Sequence, residues 1–215
     1  MSESTWSAVT WDIARAGGLT AYALLALSVA LGLALSLRWQ RPQWPRLITN
    51  ELHDFLTGLA LIFMVVHGAA LWLDPYMRFT WQELFLPLTS HYRPLWTALG
   101  IVALYLAVAV RVSTRLRPYI GYGLWRRLHT LAFGVYLFST LHGLAAGSDT
   151  REPWAVGLYA GSALLIATLL ELRLLTPIGA RGTTHPRLAA LTAAVVFIGA
   201  AWTVVGPLHG AVTVG

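Results

Sequence analysis

The 215-residue chain contains no cysteine and no lysine, and only 11% of its residues are charged. The missing cysteine excludes disulfides, cysteine-ligated iron–sulfur clusters and thiolate-bound metals. The scarcity of charge excludes an ordinary soluble domain, where about a quarter of residues are charged. Without lysine, all fifteen basic residues are arginine, set against nine acidic ones. A net charge of +6 invites a nucleic-acid reading. The arginines instead flank apolar runs, where they anchor and orient helices, so nucleic acid is not an expected partner. Residues 1–17 hold a single arginine among acidic and polar residues, which is unlike the basic start of a signal peptide.

What the chain does have is apolar length. It is 57% hydrophobic, with ten Trp and eight Tyr of the kind that settle at membrane interfaces. Crossing the hydrocarbon core takes about 20 apolar residues. Six segments qualify: 18–37, 49–73, 95–110, 125–147, 153–170 and 188–205. The expected fold is an all-α integral membrane bundle of six transmembrane helices in a lipid bilayer. Residues 75–94 mix Trp81, Phe85 and Leu86 with Arg78 and Glu83, and read as an amphipathic piece on the membrane surface. Residues 176–186 are turn-rich linker.

Orientation follows from arginine placement. The loops after the first, third and fifth segments carry Arg38, Arg41 and Arg46, then Arg111, Arg115, Arg117, Arg126 and Arg127, then Arg173, Arg181 and Arg187. The opposite side holds only Arg15, Arg78, Arg93 and Arg151, together with most of the acidic residues. The positive-inside rule puts the richer side in the cytoplasm and both termini outside a cell membrane. The expected organisation is an external segment at 1–17, a transmembrane domain at 18–175, and a cytoplasmic linker with one further helix at 176–215.

Four of the seven histidines lie inside these apolar runs. His53 and His67 are 14 residues apart in the second segment, and His129 and His142 are 13 apart in the fourth. At about 1.5 Å per residue these spans are about 21 and 19.5 Å, within a core about 30 Å thick. Both segments run from cytoplasm to outside. His53 can therefore face His129 near the inner surface, and His67 can face His142 near the outer one. Each pair could hold one iron through two imidazoles, so the expectation is two haem b groups between helices two and four. Filling both axial positions favours electron transfer over oxygen binding at iron.

A 14-residue step returns to within about 40° of its starting direction, whereas a 13-residue step lands about 140° away. The fourth helix is therefore expected to contain a local irregularity, such as a π-bulge or a tightened turn with Gly134 and Ser139 as tolerant positions, or else one haem is approached at a different angle. Gly58, Ala60 and Gly134 suit close approach of a flat cofactor and equally suit helix packing. Phe63, Met64, Phe133, Tyr136 and Phe138 fall at intermediate depth. Arg126 and Arg127 near the inner pair, and His91 and Arg93 near the outer end, are candidate haem-propionate contacts, with Arg46 weaker. His185 and His209 have no expected ligand role. The alternative is a divalent metal-ion transporter using the same histidines, although the core segments lack acidic residues at depth. A structural membrane adaptor is weaker still.

The pattern H-x13-H followed two helices later by H-x12-H resembles the ferric reductase-like transmembrane domain. That superfamily includes NADPH oxidases, ferric reductases and the haem subunits of periplasmic methionine sulfoxide reductase systems. The run WRRLHTLAF at 125–133 is similar to the family's approach to its first fourth-helix ligand. The resemblance covers about residues 18–174 and implies an inner haem on His53 and His129 and an outer haem on His67 and His142. It also implies an oxidoreductase role, as an electron-transfer subunit. Unlike the oxidases, this chain has no dinucleotide-binding glycine fingerprint, and a sixth apolar segment follows the fifth. The expected partners are a separate flavin reductase or a quinol as donor and an extracytoplasmic acceptor.

Overall fold

A computed structural model describes residues 3–37 and 46–176. Every regular element among them is helical: α1 (Glu3–Ser36), α2 (Arg46–Leu73), α3 (Trp81–Phe85), α4 (Pro94–His129), α5 (Ala132–Ala146) and α6 (Pro153–Leu175). Four helical segments are long and apolar enough to cross a membrane: Ser4–Ser36, Leu47–Leu73, Pro94–Ala146 and Pro153–Leu175. The chain divides into two compact units, Met1–Val29 with Asp54–Thr150, and Ala30–His53 with Arg151–Gly215.

In the first unit α1 and α2 pack antiparallel. Thr10 donates to the Asp74 carboxylate, His67 meets the Ala14 carbonyl, and the Ser28 and Thr57 hydroxyls bond at 2.7 Å. α1 begins at Glu3, well before the apolar run at 18. Its early turns have a packing role that composition hides, since Thr10 and Ala14 are buried. Thirty-four helical residues span about 51 Å, well beyond the membrane core. Residues 3–17 are therefore the extension of the first span. α2 stops where Asp74 accepts hydrogen bonds from the Tyr76 and Met77 N–H groups and Pro75 follows. Within 75–94 the only helix is α3, started by a capping box in which Thr80 and Glu83 bond reciprocally.

The segment Pro94–Ala146 would be about 80 Å long as one straight helix. It is instead a hairpin. Pro94 opens α4, and Gly121 interrupts it at φ 78° and ψ 161°, a conformation essentially closed to other residues. The chain then returns against itself. Trp125 Nε1 donates to the Thr114 hydroxyl, the side chain of Leu106 lies against Gly134, and the Tyr92 hydroxyl donates to the Ala146 carbonyl. The two arms contain the third and fourth predicted segments. α5 also packs antiparallel to α1, through Tyr22 stacked on Tyr136 at 6.0 Å and an Arg15–Asp149 ion pair. α2 meets α4 through an Arg111–Asp54 ion pair. α2 and α5 therefore run in the same direction, as the predicted topology requires.

The second unit contains the last turns of α1, the first turns of α2, and α6. α6 has Pro153 at its first position, where a missing N–H costs nothing. The predicted sixth segment at 188–205, the linker from 177 onward, and Arg38, Arg41, Arg181, Arg187, His185 and His209 lie outside the described residues.

Candidate functional site

His67 on α2 and His142 on α5 come together in the first unit. Their ring centres are 6.2 Å apart and their planes cross at 76°. Each ring is anchored through Nδ1 to a backbone carbonyl: His67 to Ala14 of α1 at 2.7 Å, and His142 to Trp96 of α4 at 2.8 Å. A carbonyl can only accept, so each Nδ1 carries a proton, and in the neutral ring that leaves Nε2 with its lone pair. The pair thus presents two neutral imidazole donors on facing helices. Two imidazole nitrogens about 2 Å from one metal, each about 1.1 Å from its ring centre, give ring centres about 6 Å apart. The observed separation fits one iron between the two rings.

Glycines make these seats, and the sequence reading passed over them. A Cβ added to Gly18 would lie 3.0 Å from His67 Nδ1, and one added to Gly100 would lie 2.8 Å from His142 Nδ1. A Cβ added to Gly17 would also lie close, 3.3 Å from the His67 backbone nitrogen. Gly32 of α1 faces His53 in the same way, at 3.4 Å from Cε1. Gly18 and Gly32 are 14 residues apart, the same spacing as His53 and His67. That repeated interval was the available signal. The glycines weighed for close approach behave differently: Gly134 packs on Leu106, and Gly58 lies near Arg111.

His53 and His129 belong to different units, so each is described by its own surroundings. His53 rests against Gly32. His129 ends α4 and stacks on Trp125 at 5.0 Å. Between His129 and His142 the backbone tightens at Thr130 and Leu131. Leu131 N–H bonds to Leu128 and Phe133 N–H to Thr130, both three residues back. Such a turn winds about 120° per residue against about 100° in an α-helix. Two residues recover about 40° of the roughly 140° mismatch of a 13-residue step. The irregularity expected from spacing is present as a tightened turn, placed beside the first histidine and away from Gly134 and Ser139.

The other candidates have defined partners. His91 Nδ1 donates to Glu83 at 2.5 Å, and its backbone N–H bonds to the same oxygen at 2.8 Å. The Arg93 guanidinium donates to the Ala145 carbonyl, which with Tyr92 closes the end of α5. Arg126 donates to the Tyr122 hydroxyl at 2.9 Å. Arg127 is exposed in the last turn of α4. The Arg46 side chain lies outside the description. Of the mid-depth aromatics, Tyr136 pairs with Tyr22, and the Thr140 hydroxyl bonds to Tyr22.

Two carboxylates at the Asp74 end are held ionised. The Thr80 and His91 backbone N–H groups, followed by the His91 ring, lower the Glu83 pKa to about 2. Burial opposes the charge of Asp74. Hydrogen bonds from Met77, Thr10, Tyr76 and Ser7 outweigh it, and the net pKa falls. Among the described residues, no group of three or more His, Cys, Asp or Glu side chains is placed to hold a metal ion. No family model matches the chain, and no curated protein or solved structure matches it.

Proposed function

We propose that the protein carries electrons across a membrane through two bis-histidine b-type haems. Electrons pass from a cytoplasmic or membrane donor to an acceptor on the outer side. The observation that carries this reading is the His67–His142 pair: two imidazoles 6.2 Å apart with both Nδ1 atoms tied to carbonyls. Six spanning helices, with both termini outside, are the matching architecture. The inner pair, His53 and His129, follows from the matched spacing and from the resemblance to the ferric reductase-like transmembrane domain.

When bound, haem supplies a one-electron carrier whose two axial positions are filled. The remaining work belongs to the chain. His67 and His142 would hold the outer group, and His53 and His129 the inner one. The Ala14 and Trp96 carbonyls orient the outer rings and strengthen them as donors. The apolar helices exclude water from the path. In this reading Arg126 and Arg127 are the candidates for inner propionates, and His91 and Arg93, which also hold Glu83 and the Ala145 carbonyl, for outer ones. The donor in this reading is a flavin reductase or a quinol.

The alternative is divalent metal-ion transport. A protein-only site for such an ion generally takes four or more ligands. A macrocycle supplies four by itself and asks the protein for two. The paired geometry therefore favours haem.

The test is the reduced-minus-oxidised absorbance of protein purified from membranes. A bis-histidine b-type spectrum is expected. His67→Ala and His142→Ala should each remove the same component, about half of the signal for two haems. A folded, colourless protein that binds zinc or copper through these histidines would overturn the reading.

A further inference from the structure

We propose that Gly18 and Gly100 are positioning residues that set the ligand strength and orientation of His67 and His142. This rests on the haem reading above. The same local arrangement occurs twice, on different helix pairs. His67 bonds to the Ala14 carbonyl, and Gly18 is four residues further along α1. His142 bonds to the Trp96 carbonyl, and Gly100 is four residues further along α4. In an α-helix the carbonyl of residue i points toward the N–H of residue i+4. A Cβ at i+4 therefore stands beside the carbonyl's remaining lone pair. Glycine there opens the lone pair to a side chain from a neighbouring helix.

The steric margin is small. An added carbon at Gly100 would meet three ring atoms of His142 at 2.8 to 3.0 Å, and one at Gly18 would meet His67 Nδ1 at 3.0 Å. Neither glycine has a positive φ. Alanine therefore suits the backbone at both positions and favours a helix more than glycine does. Harm from the substitution must come through the ring. Displacing a ring breaks its Nδ1 hydrogen bond and weakens the imidazole as a donor. A weaker donor stabilises oxidised iron less, so the outer potential rises.

The experiment is a redox titration with low-temperature electron paramagnetic resonance on the purified full chain. It compares wild type, Gly18→Ala, Gly100→Ala and the control Gly161→Ala, whose added carbon meets nothing within 4 Å. The expected result is an upward shift of one midpoint potential and an altered low-spin signal for that component, larger in Gly100→Ala than in Gly18→Ala. The other component and the control should match wild type. Should Gly100→Ala fail to assemble, the milder Gly18→Ala carries the test. If both glycine variants bind two haems and titrate as wild type, the positioning role is wrong while the haem reading stands. If wild type itself shows no haem, the failure lies in the haem reading.

Discussion

Glu83 shows how one buried residue organises the Asp74 end of the first unit. Its carboxylate accepts from Thr80 and His91, which fixes the turn into α3 and the His91 ring together. Its pKa falls from the ordinary 4.5 to about 2. A depressed acid contributes stability that is present above the unfolded value and lost as pH drops through the folded one. Glu83→Gln should therefore unfold at a lower temperature than wild type at pH 6. The gap should begin to close below about pH 4.5 and vanish near pH 2, as thermal melts in detergent would record. A gap independent of pH would mean that the carboxylate's charge is irrelevant. The chain's histidines sort by environment in the same terms: His91 is oriented by a carboxylate, whereas His67 and His142 are oriented by carbonyls.

Among the elements, the α4–α5 hairpin decides where His142 sits. Gly121 permits the reversal, and the register carried by Thr114–Trp125, Leu106–Gly134 and Tyr92–Ala146 brings His142 to the Trp96 carbonyl. Gly121→Ala puts a Cβ at a φ of 78° and should cost about 1–3 kcal/mol, read by denaturant unfolding in detergent. An unchanged midpoint of unfolding would show that the hairpin is set by its arms alone. The approach of His67 to His142 and the direction of their helices were legible in the sequence, because polar rings at regular intervals stand out in apolar runs. The angular mismatch of 13 residues was legible too, with a tightened turn as one of the ways to relieve it. Its position at Thr130–Leu131 was not, because no glycine or proline marks it. The seat at Gly100 was not legible either, since a glycine on a neighbouring helix has no local pattern to give it away, whereas Gly18 carries only its 14-residue interval to Gly32 as a signal. The early start of α1 was hidden for a related reason: residues 3–17 are polar in composition, yet Thr10 and Ala14 make a packed face.

For the whole molecule, the direction of the proposed electron transfer would follow from which way the helices sit in a membrane. The absence of cysteine makes that measurable, because any single introduced thiol is the only one in the chain. Tyr76, at the Asp74 end, and Tyr119, beside the Gly121 reversal, are 83% and 86% exposed, so either position accepts a probe without disturbing packing. By the positive-inside rule, the arginine distribution predicts Tyr76 outside and Tyr119 in the cytoplasm. Tyr76→Cys should react with a membrane-impermeant maleimide on intact cells, and Tyr119→Cys only after permeabilisation. The reverse pattern would turn the bundle over, putting the His67–His142 pair at the inner surface. Gly215→Cys adds the parity of the topology. The sixth span expected from the sequence at 188–205 would return residue 215 to the side of residue 76, so on that expectation Gly215→Cys should label on intact cells as well. Labelling only after permeabilisation would leave the chain with an odd number of crossings and remove the sixth helix from the bundle.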